Sequence, residues 1–332
     1  MFKARFKDEI LKAFQVSNFE ADPTIENIPK PNPKSNQIRL KIMSCGLNFA
    51  DILMTSGTYQ ETPQLPFVLG MEVSGVVDAL GSNVTNLSIG DRVAVFGGHG
   101  GLAEYGCFDL SRCVQLPKKM NFDDAAAFQI AYGTSHLALE YKAKTKPGDT
   151  LLVLGASGGV GLTAVQLGKL MGARVVGVAR GAKKMETVKK EGADYVLDSE
   201  DPDLISHLKD LGGVDVVYDA VGGEQFKTAF RSCNPEARII LIGFASGNVP
   251  QLKANHLLVK NITIHGFYWG GFLQFKPSVV TESLKQLFEW YKSDQIKPHI
   301  SHKFTLDQAE AALNILKQRK STGKVVVKVH EN

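Results

Sequence analysis

An apolar run passes straight into a glycine turn at Leu151-Leu-Val-Leu-Gly-Ala-Ser-Gly-Gly-Val-Gly161, and that order leaves few folds open. It reads as a buried strand, a tight turn and a helix start, the arrangement that receives a dinucleotide pyrophosphate. The tight turn and the close approach of backbone to phosphate both exclude side chains. Against the pattern G-x-G-x-x-G, Ala156 takes the first position, Gly158 the second and Gly161 the third, with Ser157, Gly159 and Val160 between them. Unpaired N–H groups at the helix start then face the anion. Val160, Ala164, Leu167 and Met171 recur at helical spacing, and Gly172 stops the helix before the next apolar run, Arg174 to Ala179. A complete βαβ unit is legible.

What ends the second strand bears on the choice of cofactor. An NAD site offers an acid there to the ribose 2′-hydroxyl. This strand ends Val178-Ala179-Arg180, and Lys183 and Lys184 follow, which places cationic donors where a 2′-phosphate lies. NADP(H) is therefore expected over NAD(H). The competing reading makes Lys183, Lys184, Lys189 and Lys190 a solvated helix face.

With 332 residues the chain exceeds what one core usually serves, so two domains are expected. Its net charge of +4 comes without a basic block interleaved with aromatics, which argues against nucleic acid as a partner. Cys45, Cys107, Cys113 and Cys233 show no paired spacing, so neither a disulfide framework nor a zinc knuckle is expected, and a reducing compartment fits. No uninterrupted apolar stretch reaches the roughly 18 residues of a membrane span. The first residues are basic but meet Asp8 and Glu9 at once, which suits a transit peptide poorly. Cytoplasm is the expected location, with mitochondria left open.

The rhythm of the chain changes once. Up to about residue 125 short strands are broken by Gly and Pro. Beyond it apolar strands alternate with helices: Thr150 to Leu154, Arg174 to Ala179, Val214 to Tyr218, Arg238 to Ile242 and Asn261 to His265. That alternation predicts a parallel sheet covered on both faces. Two helical stretches follow, Val279 to Tyr291 and Leu306 to Arg319, the second preceded by the capping-box pair Thr305 and Gln308, then a closing strand from Lys324. The expected division is 1–130, 131–272 and a return to the first domain over 273–332, with ligand bound in a cleft between the two.

Several motifs in one order carry a family resemblance over nearly the whole chain. Gly46-Leu-Asn-Phe-Ala-Asp51, Leu65-Pro-Phe-Val-Leu-Gly-Met-Glu72, Gly90-Asp-Arg-Val93, Pro147-Gly-Asp149 and Gly158-Gly-Val-Gly161 resemble the medium-chain dehydrogenase/reductase superfamily, in its quinone oxidoreductase branch related to zeta-crystallin. Tyr59-Gln-Glu61, Lys260-Asn-Ile262, Tyr268-Trp-Gly270 and Arg319-Lys-Ser-Thr-Gly-Lys-Val325 narrow the resemblance within that branch. It implies an α/β protein: a Rossmann-like parallel-sheet domain plus a GroES-like partial β-barrel that includes the C-terminal tail. It also implies a homodimer in which the last strand of the cofactor sheet, near Ile262 to Phe267, pairs across a two-fold axis.

Zinc-dependent relatives carry Cys where this chain has Asn48 and His where it has Met71, while Glu72 keeps the neighbouring acid. The four-cysteine lobe for structural zinc is missing too. An amide and a thioether do not make a zinc site, so no metal is expected. His299 and His302 lie three apart, with Pro298 and Ile300 favouring a loop or edge strand over a metal pair.

Without zinc to polarise a carbonyl, alcohol oxidation needs another acid–base system, and none is evident. Hydride donation to a quinone or α,β-unsaturated carbonyl needs only a hydrogen-bond donor near the oxygen that gains charge. The resemblance gives that role to Asn48, with Tyr59 as a second donor; the competing readings are a helix cap and a half-exposed turn aromatic. It places Thr134 beside the nicotinamide, Gly243, Phe244, Tyr268 and Trp269 around the reactive end, and Lys324 near the phosphates. Core packing rivals the aromatic assignments, and a strand-end charge rivals Lys324. Two positions depart from the branch: Leu53 replaces a Tyr, and Ser199 stands where relatives stack a ring near the adenosine. The expected activity is zinc-independent, NADPH-dependent reduction of quinones or enones. Reduction of an enoyl thioester or enal, or NADPH binding with little turnover, are the rivals.

Overall fold

Four longer apolar runs and two four-residue strands assemble into a six-stranded, all-parallel sheet in the computed structural model, which describes residues 9–331. In space the strands run Tyr195–Asp198, Arg174–Ala179, Thr150–Leu154, Val214–Asp219, Cys233–Leu241 and Thr263–Gly266. The runs are continuous rather than alternating because both faces are covered. Leu152, Val176, Val178, Val217 and Ile239 share one core with Phe226 and Phe230 of the helix Gly223–Ser232. On the other face a Cβ on Gly168 would lie 2.4 Å from Leu151, so glycine lets the helix Gly159–Leu170 settle onto the sheet. Strand order reverses between Thr150–Leu154 and Val214–Asp219, the crevice at which open α/β sheets bind ligands.

The chain divides into two compact units, one of residues up to Gln129 plus those from Ile300 on, the other Ile130–His299. The return therefore begins at 300, not at the expected 273. The helix Pro277–Lys292 stays with the parallel-sheet unit, held there by His136, whose Nδ1 lies 2.8 Å from Ser283 Oγ and whose ring packs edge-on to Trp290.

In the first unit a seven-stranded sheet is built around the long strand Gln37–Leu47, which pairs antiparallel with Glu72–Leu80, Tyr105–Asp109 and the C-terminal Lys324–Lys328. A separate three-stranded sheet joins Thr24–Pro29, Ile10–Val16 and Phe67–Val68. Thr305 and Gln308 form the expected capping box, over a 3-10 turn that leads into the helix Ala309–Lys317. Residues 1–8, read above for a leader, lie outside the described residues. Among the described residues no helix is long and apolar enough to cross a membrane.

Candidate functional site

At the edge of the parallel sheet the glycine turn is built almost wholly from backbone. Gly155, not Ala156, makes the sharp turn: its φ is +68°, and the N–H of Ala156 already donates to the Val178 carbonyl at 3.0 Å. This corrects the assignment of Ala156 to the turning position, and Gly155 was missed because it stands one residue ahead of the pattern. Ala156 and Ser157 are buried, while Gly158 is the N-cap of the helix Gly159–Leu170. A Cβ on Gly161 would fall 2.2 Å from the Gly155 carbonyl oxygen, so only glycine closes the cradle. The first intrahelical bond runs from Leu162 N–H to the Gly158 carbonyl, leaving the N–H groups of Gly159, Val160 and Gly161 without an intrahelical acceptor.

The next strand braces this turn. Asp219 pairs in register with Leu154, and its Oδ1 accepts the N–H groups of Val221 and Gly222 at 2.9 and 2.8 Å. Its backbone carbonyl accepts Ile242 and Gly243 N–H. Its Oδ2 is buried and has no partner among the described residues, and burial pushes the carboxyl above the usual carboxylate range. Phe244 lies over Gly222, where a Cβ would be 3.1 Å from its ring. The buried Thr134 sits in the helix Gln129–His136, and the neighbouring Gly133 admits the indole of Trp269 within 2.6 Å of where a Cβ would be. Tyr268 folds back over Gly270. Within this unit the structure thus sets Trp269 against Gly133, the neighbour of Thr134, and brings Gly243 and Phe244 together with the Asp219 turn.

Arg180 is exposed at the end of Arg174–Ala179, and its Nε lies 3.3 Å from Glu200 Oε1, an acid that sequence reading did not weigh. Ser199 is placed beside it, its N–H on the Ala179 carbonyl. Lys184 is half-buried on the following helix, whereas Lys183, Lys189 and Lys190 are exposed, as the solvated-face reading has it for them.

The first unit holds a constellation of a different kind. Lys324 Nζ donates to Glu72 Oε1 at 2.6 Å and to Asn48 Oδ1 at 2.7 Å, with the lysine side chain 4% exposed and the glutamate fully buried. Two ladders create this: Val325 pairs with Leu47, and Glu72 pairs with Gly46, so each charged residue arrives at the end of Gln37–Leu47. Gly46 is needed there, since a Cβ would strike the Ala126 carbonyl and sit 3.0 Å from Glu72 Oε1. Lys324, expected near the cofactor phosphates, is instead committed to the buried Glu72 and the half-buried Asn48.

Asn48 is the N-cap of Phe49–Thr55, and its Nδ2 donates to the Gly46 carbonyl at 3.2 Å. Asn48 thus holds the capping position that the competing reading gave it, and its side chain meets Lys324 as well. Asp51 Oδ2 accepts the Asn48 N–H at 2.8 Å and Oδ1 accepts that of Gly70 at 3.2 Å. Burial pushes Asp51 up to about 7, against these N–H groups and Lys324, which pull it down. Tyr59 is half-buried in the turn after that helix, where its carbonyl accepts both the N–H and the hydroxyl of Thr62. Met71 is buried.

Zinc does not fit here. An ammonium already lies against the Glu72 carboxylate and is shared with the Asn48 amide oxygen, a set of groups that offers a cation no ligand cage. Among the described residues no group of three or more His, Cys, Asp and Glu side chains comes together as a metal site. His299 Nδ1 is 3.1 Å from Glu191, and His302 Nδ1 is 2.9 Å from Ser301 Oγ.

Residues 34–118 match the alcohol dehydrogenase GroES-like domain and residues 159–290 the zinc-binding dehydrogenase domain. A quinone oxidoreductase-like protein 2 homolog of Nematostella vectensis is 42% identical over 89% of this chain and 82% of its own length. Quinone oxidoreductase-like protein 2 of Bos taurus is 38% identical over 91% and 88%. Among solved structures, a mycobacterial protein complexed with NADPH superposes with a TM-score of 0.90 at 30% identity, covering 96% of this chain and all of that one. Escherichia coli quinone oxidoreductase complexed with NADPH gives 0.88 at 27%, covering 96% and 99%.

Proposed function

The chain belongs to the medium-chain dehydrogenase/reductase superfamily, in its quinone oxidoreductase branch, and from that premise we propose that it is a zinc-independent, NADPH-dependent reductase of quinones or α,β-unsaturated carbonyl compounds. The observation that carries this reading is the donor set around Glu72. Where zinc-dependent relatives hold a Lewis acid, this chain sets an amide against a lysine ammonium, which suits hydrogen bonding to an oxygen and not metal coordination.

In this reading the cradle from Ser157 to Gly161 holds the pyrophosphate on bare N–H groups. Arg180 and Lys184 take the 2′-phosphate, for which Arg180 must exchange Glu200 for the ligand. Thr134, Gly243, Phe244, Tyr268 and Trp269 surround the nicotinamide end with small and aromatic surfaces suited to a flat acceptor. Bound NADPH supplies a hydride to an electrophilic carbon of the acceptor, and the charge that develops spreads onto oxygen. Asn48 and Tyr59 donate hydrogen bonds to that oxygen. An amide nitrogen carries two hydrogens, and Gly46 takes one of them, so Asn48 keeps one for the acceptor.

A second copy of the chain completes the assembly. Among the described residues Thr263–Gly266 pairs on one side only, and Leu258 and Val259 just before it are 76% and 74% exposed. An open strand edge beside apolar side chains is a template for the same edge of another copy.

Absorbance-monitored oxidation of NADPH and of NADH against ortho-quinones, para-quinones, enones and enals tests the function. Consumption with one acceptor class and a preference for NADPH is expected. Saturable NADPH binding with no consumption by any acceptor defeats the reductase and leaves a nucleotide-binding protein.

A further inference from the structure

We propose that Lys324 is a positioning residue for the reduction, which fixes the Asn48 amide with its oxygen inward and its nitrogen presented as the donor, and strengthens that donor. The inference rests on the function proposed above and adds a residue to it. Three observations carry it.

The first is chemical. An ammonium has donors and no acceptor, so only the amide oxygen of Asn48 can face Lys324; turning the amide over would set N–H against N–H. The Gly46 carbonyl enforces the same choice from the other side, accepting from Nδ2 at 3.2 Å while Lys324 donates to Oδ1 at 2.7 Å. An exposed asparagine interconverts its two orientations freely, and this one is locked from both ends.

The second is electrostatic. The ammonium is almost wholly buried, and Glu72 at 2.6 Å balances its charge without touching the amide oxygen's role. Donation to an amide oxygen draws electron density from nitrogen and polarises its N–H groups, an effect that low dielectric strengthens.

The third is architectural. A buried ion pair adds little net stability, because desolvation offsets the attraction. Yet the fold brings Lys324 276 positions along the chain to meet Asn48, and a Gly at 46 clears the space. Both features are explained by the orientation of the amide.

The test compares two double variants. Lys324→Met with Glu72→Gln removes both charges of the ion pair, so neither is stranded without the other. Lys324→Gln with Glu72→Gln retains a neutral N–H donor for the Asn48 oxygen. Asn-selective 15N labelling of protein without cofactor reads the Asn48 side-chain amide, assigned by its loss in Asn48→Ala. NADPH affinity and kcat with a quinone are measured alongside. The Met-containing pair is expected to shift the Asn48 amide resonances and to lower kcat roughly 10- to 100-fold, with the NADPH Kd within about twofold. The Gln-containing pair should fall between it and the wild type in both readouts. Unmoved amide resonances in the folded Met-containing pair overturn the proposal whatever the activity, and so does an unchanged kcat. If neither pair folds, Asn48→Asp decides, since it keeps an oxygen on Lys324 and removes the N–H: wild-type kcat in that variant overturns the proposal. A wild-type protein that binds NADPH but consumes it with none of the acceptors defeats the reductase instead, and the amide resonances still decide what Lys324 does.

Discussion

The glycine turn and the Asn48 constellation do their work with opposite materials. The first is backbone: a positive φ at Gly155, a missing Cβ at Gly161 and three N–H groups at a helix start, all within seven residues. The second is side chain: an amide, an ammonium and two carboxyls from four places in the sequence, of which Glu72, Asp51 and Lys324 are buried. A backbone site is specified by what its residues lack, and tolerates chemical variation where no Cβ intrudes. A side-chain site is specified by pairing, and every member left alone becomes a liability.

The hardest blow to this contrast is Gly161→Ala. Its Cβ would overlap the Gly155 carbonyl, so NADPH affinity should fall by about 100-fold or more, or the unit should melt early; titration and calorimetry together read both. Wild-type behaviour would mean that the turn relaxes and that absence of a side chain specifies nothing. Next comes Asn48→Ala, expected to lower kcat roughly 10- to 100-fold while the NADPH Kd stays within about twofold, which would separate the two sites functionally. A parallel loss of binding would join them.

Arg180→Ala should reduce the preference for NADPH over NADH by about tenfold, measured as the ratio of the two dissociation constants. Smaller still is the proton balance at Asp51. In the unfolded chain this carboxyl ionises near 3.8, whereas in the folded protein it does so at about 7. Folding therefore takes up a proton between those values, so the stability Asp51 contributes falls as pH rises through that window and is level above it. Melting temperatures at about pH 5 and about pH 8 should draw together in Asp51→Asn relative to the wild type. The smallest change expected is a rise of about two- to threefold in NADPH affinity for Glu200→Gln, which frees Arg180 from an exposed partner.

The same contrast explains what was readable. The parallel sheet announces itself because each buried strand is a continuous apolar run and each link is local. Its glycine turn is readable for that reason, although the pattern begins one residue late and passes over Gly155. Asn48 and Tyr59 were singled out by resemblance alone; nothing in their neighbours shows that Asn48 faces a lysine. That contact depends on two antiparallel registers, and a slip of one residue in either would turn Lys324 or Glu72 to the opposite face. The helix Pro277–Lys292 was legible as a helix but not as a member of the parallel-sheet unit, because His136 and Ser283, which tie it there, are separated by 147 positions. Glu200 was invisible for a simpler reason: the pairing with Arg180 runs between the ends of adjacent strands, not along one of them.

The strand Lys324–Lys328 lies along the end of Gln37–Leu47, so a strand made early waits on one made much later. During synthesis the glycine cradle can form as soon as its own βαβ unit has left the ribosome. The ammonium that meets Asn48 emerges only after the 276 positions that separate them have been made. A chain that stalls or is clipped before Lys324 would keep the glycine cradle and lack the ammonium that meets Asn48, so one site is sealed locally and the other only by a strand made much later.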